Sequence, residues 1–302
     1  MNTCIVIAGP TAVGKTALAI AVAQHFNTSI ISADSRQCFT ELSIGVAKPS
    51  PEELQQVKHY FINSHSVKQD VNAAVFEQYA LTTAETIFRD HDTVVMAGGT
   101  GLYIKAFCEG LDDIPGIDAT LREELLQQYK TGGMNWLQEA VRTEDPVYYA
   151  SGEIQNPRRL LRALEVKRAT GQSIRSFQEG KTASRDFNII KIGLDLPREQ
   201  LYNNINHRVD NMMQEGLLAE VTALLPYRQL NALQTVGYKE LFDYLDNTLS
   251  LDAAVDLIKT NTRRYAKRQL TWFRKDAAIK WFSPFQKEEI ISSLTHSLAS
   301  GG

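Results

Sequence analysis

The 302-residue sequence has only three cysteines, Cys4, Cys38 and Cys108, and no C-x-x-C pair. An odd number without that spacing argues against a zinc site and a disulfide scaffold, and for reduced thiols in a cytoplasmic protein. The six histidines are scattered and form no H-E-x-x-H. No apolar run approaches the roughly 20 residues a membrane helix needs, so no membrane span is expected. The chain enters a strand pattern almost at Met1, which leaves no room for a signal peptide, so the Asn27-Thr28-Ser29 sequon is expected to be idle. Internal repeats and low-complexity tracts are lacking too. The net charge of −3, spread evenly, would argue against a nucleic-acid partner. At 43% apolar and 22% charged residues the composition is that of a globular protein, and its length suggests one large domain with an insertion, or two domains.

What is present is concentrated in a few stretches. Residues 3–16, TCIVIAGPTAVGKT, fit G-x-x-x-x-G-K-[ST]: a short apolar strand, a glycine-bracketed loop, then a helical pattern. Gly9, Pro10, Thr11, Ala12, Val13 and Gly14 form the loop, whose N–H groups converge with the next helix's N-terminus on an anion. Lys15 adds a point charge and Thr16 a hydroxyl for Mg²⁺. The pattern predicts a phosphate or diphosphate site without saying whether the phosphate belongs to a nucleotide.

Apolar runs at residues 28–33, 92–97 and 187–196 read as further buried strands, alternating with helical segments. A helix capped by Asn72 is expected to run to about Arg89, whereas Pro49 and Pro51 argue against any regular element in GVAKPSPEE. From Pro115 to about Gln178 only helical signals occur, at residues 118–129, 135–142 and 157–169. Later helices are expected from Pro197 to Gln214 with an interruption at Gly216, at 236–246 and at 251–274, and a last strand at 278–282. The fold class is therefore α/β, a P-loop NTPase-like parallel sheet flanked by helices: core residues 1–114, a helical insertion at 115–185, and core residues 186–302.

Asp34 follows the second strand at the edge where open α/β sheets hold ligands; it can serve as a helix cap, an Mg²⁺ ligand or a general base. Thr100, in the strand-to-helix turn GGTG, is either a cap or a hydroxyl facing substrate. Residues 257–275 carry seven lysines and arginines with no acid, interleaved with Tyr265, Trp272 and Phe273; residues 158–168 repeat this more weakly. Such surfaces suit single-stranded nucleic acid, but also describe solvated basic faces. Arg208, mid-helix, by itself suggests only a surface salt bridge.

GPTAVGKT, ISADSRQ with GVAKP, GGTGLY, NPRRLLRALE, HRVDNMMQEGL, TVGYKE and KRQLTWFRK resemble, in that order, the signature segments of the bacterial tRNA dimethylallyltransferase family. The resemblance implies that the loop, with Mg²⁺, binds dimethylallyl diphosphate, and that the prenyl group passes to N6 of the adenosine just 3′ of a tRNA anticodon. It implies that Lys15, Thr16 and Arg208 act on the diphosphate and that Asp34 is the base. The adenosine must be flipped out of the anticodon stem-loop to react. The tRNA contacts implied are Asp34, Ser35, Arg36 and Gln37; Thr100 and Arg122; Arg158, Arg159, Leu160, Leu161 and Arg162; Gln234, Thr235, Val236, Gly237, Tyr238 and Lys239; and Lys267, Arg268, Gln269, Leu270, Thr271, Trp272, Phe273 and Arg274. A cytoplasmic monomer is expected. Val13 stands where small residues such as serine are also found, and the zinc-finger extension of eukaryotic members is absent. Apart from the resemblance, three other readings remain: a P-loop kinase, a prenyltransferase for free adenine nucleotides, and a nucleotide-gated RNA-binding module.

Overall fold

In a computed structural model that describes residues 1–178, 180 and 182–300, the chain divides into two units. The first takes residues 1–109 and the described residues from 184 onward; the second takes 110–183.

The first unit is built on a parallel sheet of β1 (Thr3–Ala8), β2 (Ile30–Ser32), β3 (His59–Tyr60), β4 (Thr93–Gly98), β5 (Asn188–Leu194) and β6 (Lys280–Phe282), in the order β3-β2-β4-β1-β5-β6. Strand β1 is buried throughout, and its side chains alternate between two cores: Cys4, Val6 and Ala8 face one, Ile5 and Ile7 the other. A strand buried on both faces must be apolar throughout, which is why TCIVIA carries no polar alternation. In register, Ala8 lies beside Gly98 of β4 and Gly193 of β5, and Ser32 beside Ala97. The carboxyl ends of β1, β2 and β4 therefore open side by side, which brings the phosphate loop, Asp34 and the GGTG turn to one edge.

Helices α1 (Lys15–His25), α2 (Pro51–Gln56), α3 (Ala73–Ile87) and α4 (Gly101–Glu109) connect the first strands. Asn72 caps α3 as expected, accepting the Ala74 and Val75 N–H groups. Helix α2 corrects the expectation that Pro49 and Pro51 exclude a regular element. Pro51 occupies the first turn, where no N–H is needed, and Ser50 and Glu53 form a reciprocal capping box.

The second unit contains α5 (Ala119–Glu144), α6 (Pro146–Ser151) and α7 (Pro157–Thr170). Left-handed backbone at Gly133 (φ 64°) divides α5 where the sequence predicts two helices. Leu125, Leu137, Val141, Tyr148, Leu160 and Leu164 give this unit its own core.

Back in the first unit, α8 (Arg198–Gln214) follows β5, and Gly216 at φ 100° turns the chain into α9 (Leu217–Ala223). Then come α10 (Tyr238–Leu245), α11 (Leu251–Phe273) and, after β6, α12 (Lys287–Ser300). Neither α12 nor the two-residue β3 is anticipated from the sequence; Ile290 and Leu294 seat α12 in the core that holds α1 residues. No helix among the described residues is long and apolar enough to cross a membrane. All three cysteines are free and buried.

Candidate active site

The loop between β1 and α1 is tightly constrained. A Cβ on Gly9 would lie 2.8 Å from the Leu194 carbonyl oxygen, and its φ of +153° disfavours side chains as well. Ala12 holds φ 64°, a region that costs a non-glycine residue energy, and the Asn204 side chain of α8 donates to its carbonyl at 3.2 Å. Sequence reasoning misses Asn204, since nothing in an isolated amide mid-helix distinguishes it from a solvated residue. Lys15 Nζ donates to the Pro10 carbonyl at 2.6 Å.

Arg208 reaches this loop from α8: its Nη1 donates to Thr11 Oγ1 at 3.4 Å, and it pairs with no carboxylate among the described residues. The surface salt bridge that its sequence context alone suggests is not formed. Burial lowers the Arg208 pKa, opposed by Glu53. Lys15 is pushed down to about 7, first by burial and then by Arg208, with Asp34 opposing. Two desolvated cations that repel one another across a loop of N–H groups form a receptor for a polyanion.

This arrangement carries a pH dependence. Lys15 is largely neutral in the free protein at about pH 8, and an arriving diphosphate raises its pKa, so binding takes up a proton there. Uptake fades below about pH 7, where Lys15 is already charged. Calorimetry of inorganic diphosphate binding in two buffers of unlike ionisation enthalpy reads this directly. Equal heats at about pH 8 would show that Lys15 is charged before the ligand arrives.

Asp34 Oδ1 accepts the Arg36 N–H at 2.8 Å and the Gln37 N–H at 3.3 Å, which leaves Oδ2 without a protein hydrogen bond among the described residues. Asp34 therefore caps a turn at residues 35–38 and not the start of a helix, and that occupies one oxygen only. Thr100 Oγ1 accepts the Ser35 N–H at 3.0 Å and shares a hydrogen bond with the Tyr265 hydroxyl. Burial, then the Asp34 charge, push Tyr265 and Cys38 each up to about 12. Both neighbours stay protonated at neutral pH.

Several residues grouped by sequence with the tRNA contacts are placed differently by the structure. The Leu160, Leu161, Tyr238, Gln269 and Phe273 side chains are buried, and so is Gly237, so none presents a surface to RNA. The 158–162 and 267–273 segments lie within α7 and α11, where a helix turns part of any contiguous segment inward, whereas 234–237 form bends and turns that lead into α10 at Tyr238. Tyr238 donates at 2.5 Å to Glu220, which also accepts the Ser43, Ile44 and Gly45 N–H groups and so holds that loop. Gln37 spends its amide on Val46, Ala47 and Ser32, and Gln234 donates to the Arg228 carbonyl. Thr235 and Val236 are half-buried, as is Leu270. Lys239, Lys267, Arg268, Thr271, Trp272 and Arg274 are exposed, although Arg274 pairs with Asp195 at 2.6 Å. Within the second unit Arg158 is exposed, Arg159 pairs with Glu153, and Arg122 and Arg162 converge on buried Glu165 at 3.3 and 3.4 Å.

With this geometry in view, comparison with known proteins is direct. The family model for IPP transferase matches residues 37–276. A tRNA dimethylallyltransferase of Christiangramia forsetii is 50% identical over 93% of this chain and 93% of its own length. A tRNA dimethylallyltransferase 1 of Bacteroides thetaiotaomicron is 47% identical over 97% and 96%. Among solved structures, the full-length tRNA isopentenylpyrophosphate transferase of Bacillus halodurans has a TM-score of 0.73 at 35% identity, covering 99% of this chain and 98% of that one. A eukaryotic dimethylallyltransferase acting on tRNA has a TM-score of 0.75 at 28% identity over 90% and 70%. A phosphate-loop α/β sheet, the family-model match and near-complete alignment with these enzymes lead to one conclusion: the chain belongs to the IPP transferase family.

Proposed function

We propose that this protein transfers the dimethylallyl group of dimethylallyl diphosphate to N6 of the adenosine 3′ of the anticodon in tRNA, releasing diphosphate. The observation that carries the reading is the juxtaposition of a cationic diphosphate cradle with the partnerless Oδ2 of Asp34 along one sheet edge. As the allylic C–O bond breaks, negative charge grows on the diphosphate, where Lys15, Arg208 and the loop N–H groups receive it. Adenine N6 attacks the allylic carbon and is a weak nucleophile because its lone pair is delocalised; Asp34 takes the N6 proton as the new bond forms.

Magnesium fits the donor set as a cation shared with the substrate. No cluster of three acidic, histidine or cysteine side chains among the described residues could cage a metal, which suits an ion that keeps water and phosphate oxygens as ligands. Thr16, in the first turn of α1, would hold it, and the ion would supply further charge neutralisation on the leaving group. The flipped adenosine would be held by exposed Lys267, Arg268 and Trp272, with the cations on the backbone and the indole as a stacking surface. The expected setting is the cytoplasm and the expected state a monomer.

Incubation with radiolabelled dimethylallyl diphosphate and bulk tRNA should place label in N6-(dimethylallyl)adenosine after nucleoside analysis. Thermal protection by ATP alone, with no label in tRNA, would overturn the reading in favour of a kinase.

A further inference from the structure

Gln269 lies on the inward side of α11 between buried Ala266 and Phe273, while neighbouring Lys267, Arg268 and Trp272 face outward. Its Oε1 accepts the Thr11 N–H at 2.9 Å, and its Nε2 donates to the Gly99 carbonyl at 2.8 Å. One partner donates and the other accepts, so the chemistry sets the orientation of the amide, and an amide supplies both functions from one carbon. The contact is close enough to demand glycine: a Cβ on Gly99 would lie 2.2 Å from Gln269 Nε2.

The register of β1 with β4 ends at Ala8 and Gly98, so beyond those residues no ladder bond ties the two chains together. Gln269 supplies that tie. On one side it fixes Thr11, whose hydroxyl accepts from Arg208; on the other it fixes Gly99, whose neighbour Thr100 holds the Ser35 N–H beside Asp34. We propose that Gln269 is a positioning residue, which sets the diphosphate loop relative to the Thr100–Asp34 edge and so keeps the allylic carbon within reach of the adenine nitrogen. This rests on the function proposed above. It assigns Gln269 to the alignment of the reactants instead of to tRNA contact.

The test uses the full chain with Gln269→Glu and Gln269→Met, measuring kcat and both KM values, tRNA affinity as a function of salt, and thermal stability. Glutamate keeps the size and the acceptor for Thr11 but turns an oxygen toward the Gly99 carbonyl; methionine removes both bonds. Misalignment by about 1 Å costs about 10²-fold, so kcat should fall by about 10- to 100-fold in each variant. Both KM values should stay within a few-fold, and the salt slope of tRNA binding should not change. If Gln269→Glu does not fold, Gln269→Met reads the same split. A weaker tRNA affinity with kcat preserved at saturation would overturn the proposal in favour of an RNA contact. A lower melting temperature with kcat preserved would overturn it in favour of core packing. An inactive parent would refute the proposed function; an active parent with unaffected variants refutes only the role of Gln269.

Discussion

Asp34→Asn is expected to lower kcat by about 10²–10⁴-fold, the usual contribution of a positioned base, while both substrate affinities stay within a few-fold. The geometry makes this substitution unusually clean. The oxygen that caps the turn, Oδ1, accepts from Arg36 and Gln37, and an asparagine oxygen in its place accepts the same two N–H groups. The local backbone, with the Ser35 bond to Thr100, is thereby retained. The change falls on Oδ2, where the amide nitrogen cannot take a proton. Tyr265 and Cys38 are held near 12 and offer no substitute base at neutral pH. Were Asp34 chiefly a metal ligand, the loss would appear as poorer diphosphate binding, partly rescued by added Mg²⁺. Were it only a cap, the variant would turn over normally, and full turnover refutes the base assignment.

Lys15→Ala should reduce kcat by about 10²-fold or more, the scale of removing one transition-state donor. Arg208→Ala should act in the same direction. In the free protein the two cations lack a carboxylate partner among the described residues and disfavour one another, with Lys15 at about 7 partly because of Arg208. Removing Arg208 therefore relieves Lys15, whose pKa should rise. The Arg208→Ala variant is expected to show less proton uptake on binding dimethylallyl diphosphate at about pH 8, together with its lower turnover. Steady-state kinetics with saturating tRNA, paired with the two-buffer calorimetry, checks both consequences. If Arg208→Ala leaves kcat, the KM for dimethylallyl diphosphate and the buffer dependence unchanged, Arg208 does not act on the diphosphate.

The sequence by itself determined the phosphate loop, the α/β alternation and the ends of most elements, because each is written within a few consecutive residues. Gly9 and Gly14 bracket the turn, β1 is apolar because both its faces are covered, and Asn72 caps α3 through N–H groups two and three residues away. Asp34 was also legible, since a residue just past a buried strand stands at the ligand edge whatever follows. Pro51 marks a limit of local reading: a proline that stops a helix in its interior starts one in its first turn, and the Ser50–Glu53 box decides between them. The tertiary structure alone decided which long-range partners meet. Arg208 and Thr11 are 197 residues apart, and Gln269 and Thr11 are 258. The spacing of Ala266, Gln269 and Phe273 indicates an inward-facing glutamine, but no local pattern names the backbone groups waiting for it. Contiguous motifs say which helix approaches a site. The packing of that helix against its neighbours says which of its residues look inward, and that is why Tyr238, Gln269 and Phe273 are buried while Lys267, Arg268 and Trp272 are exposed.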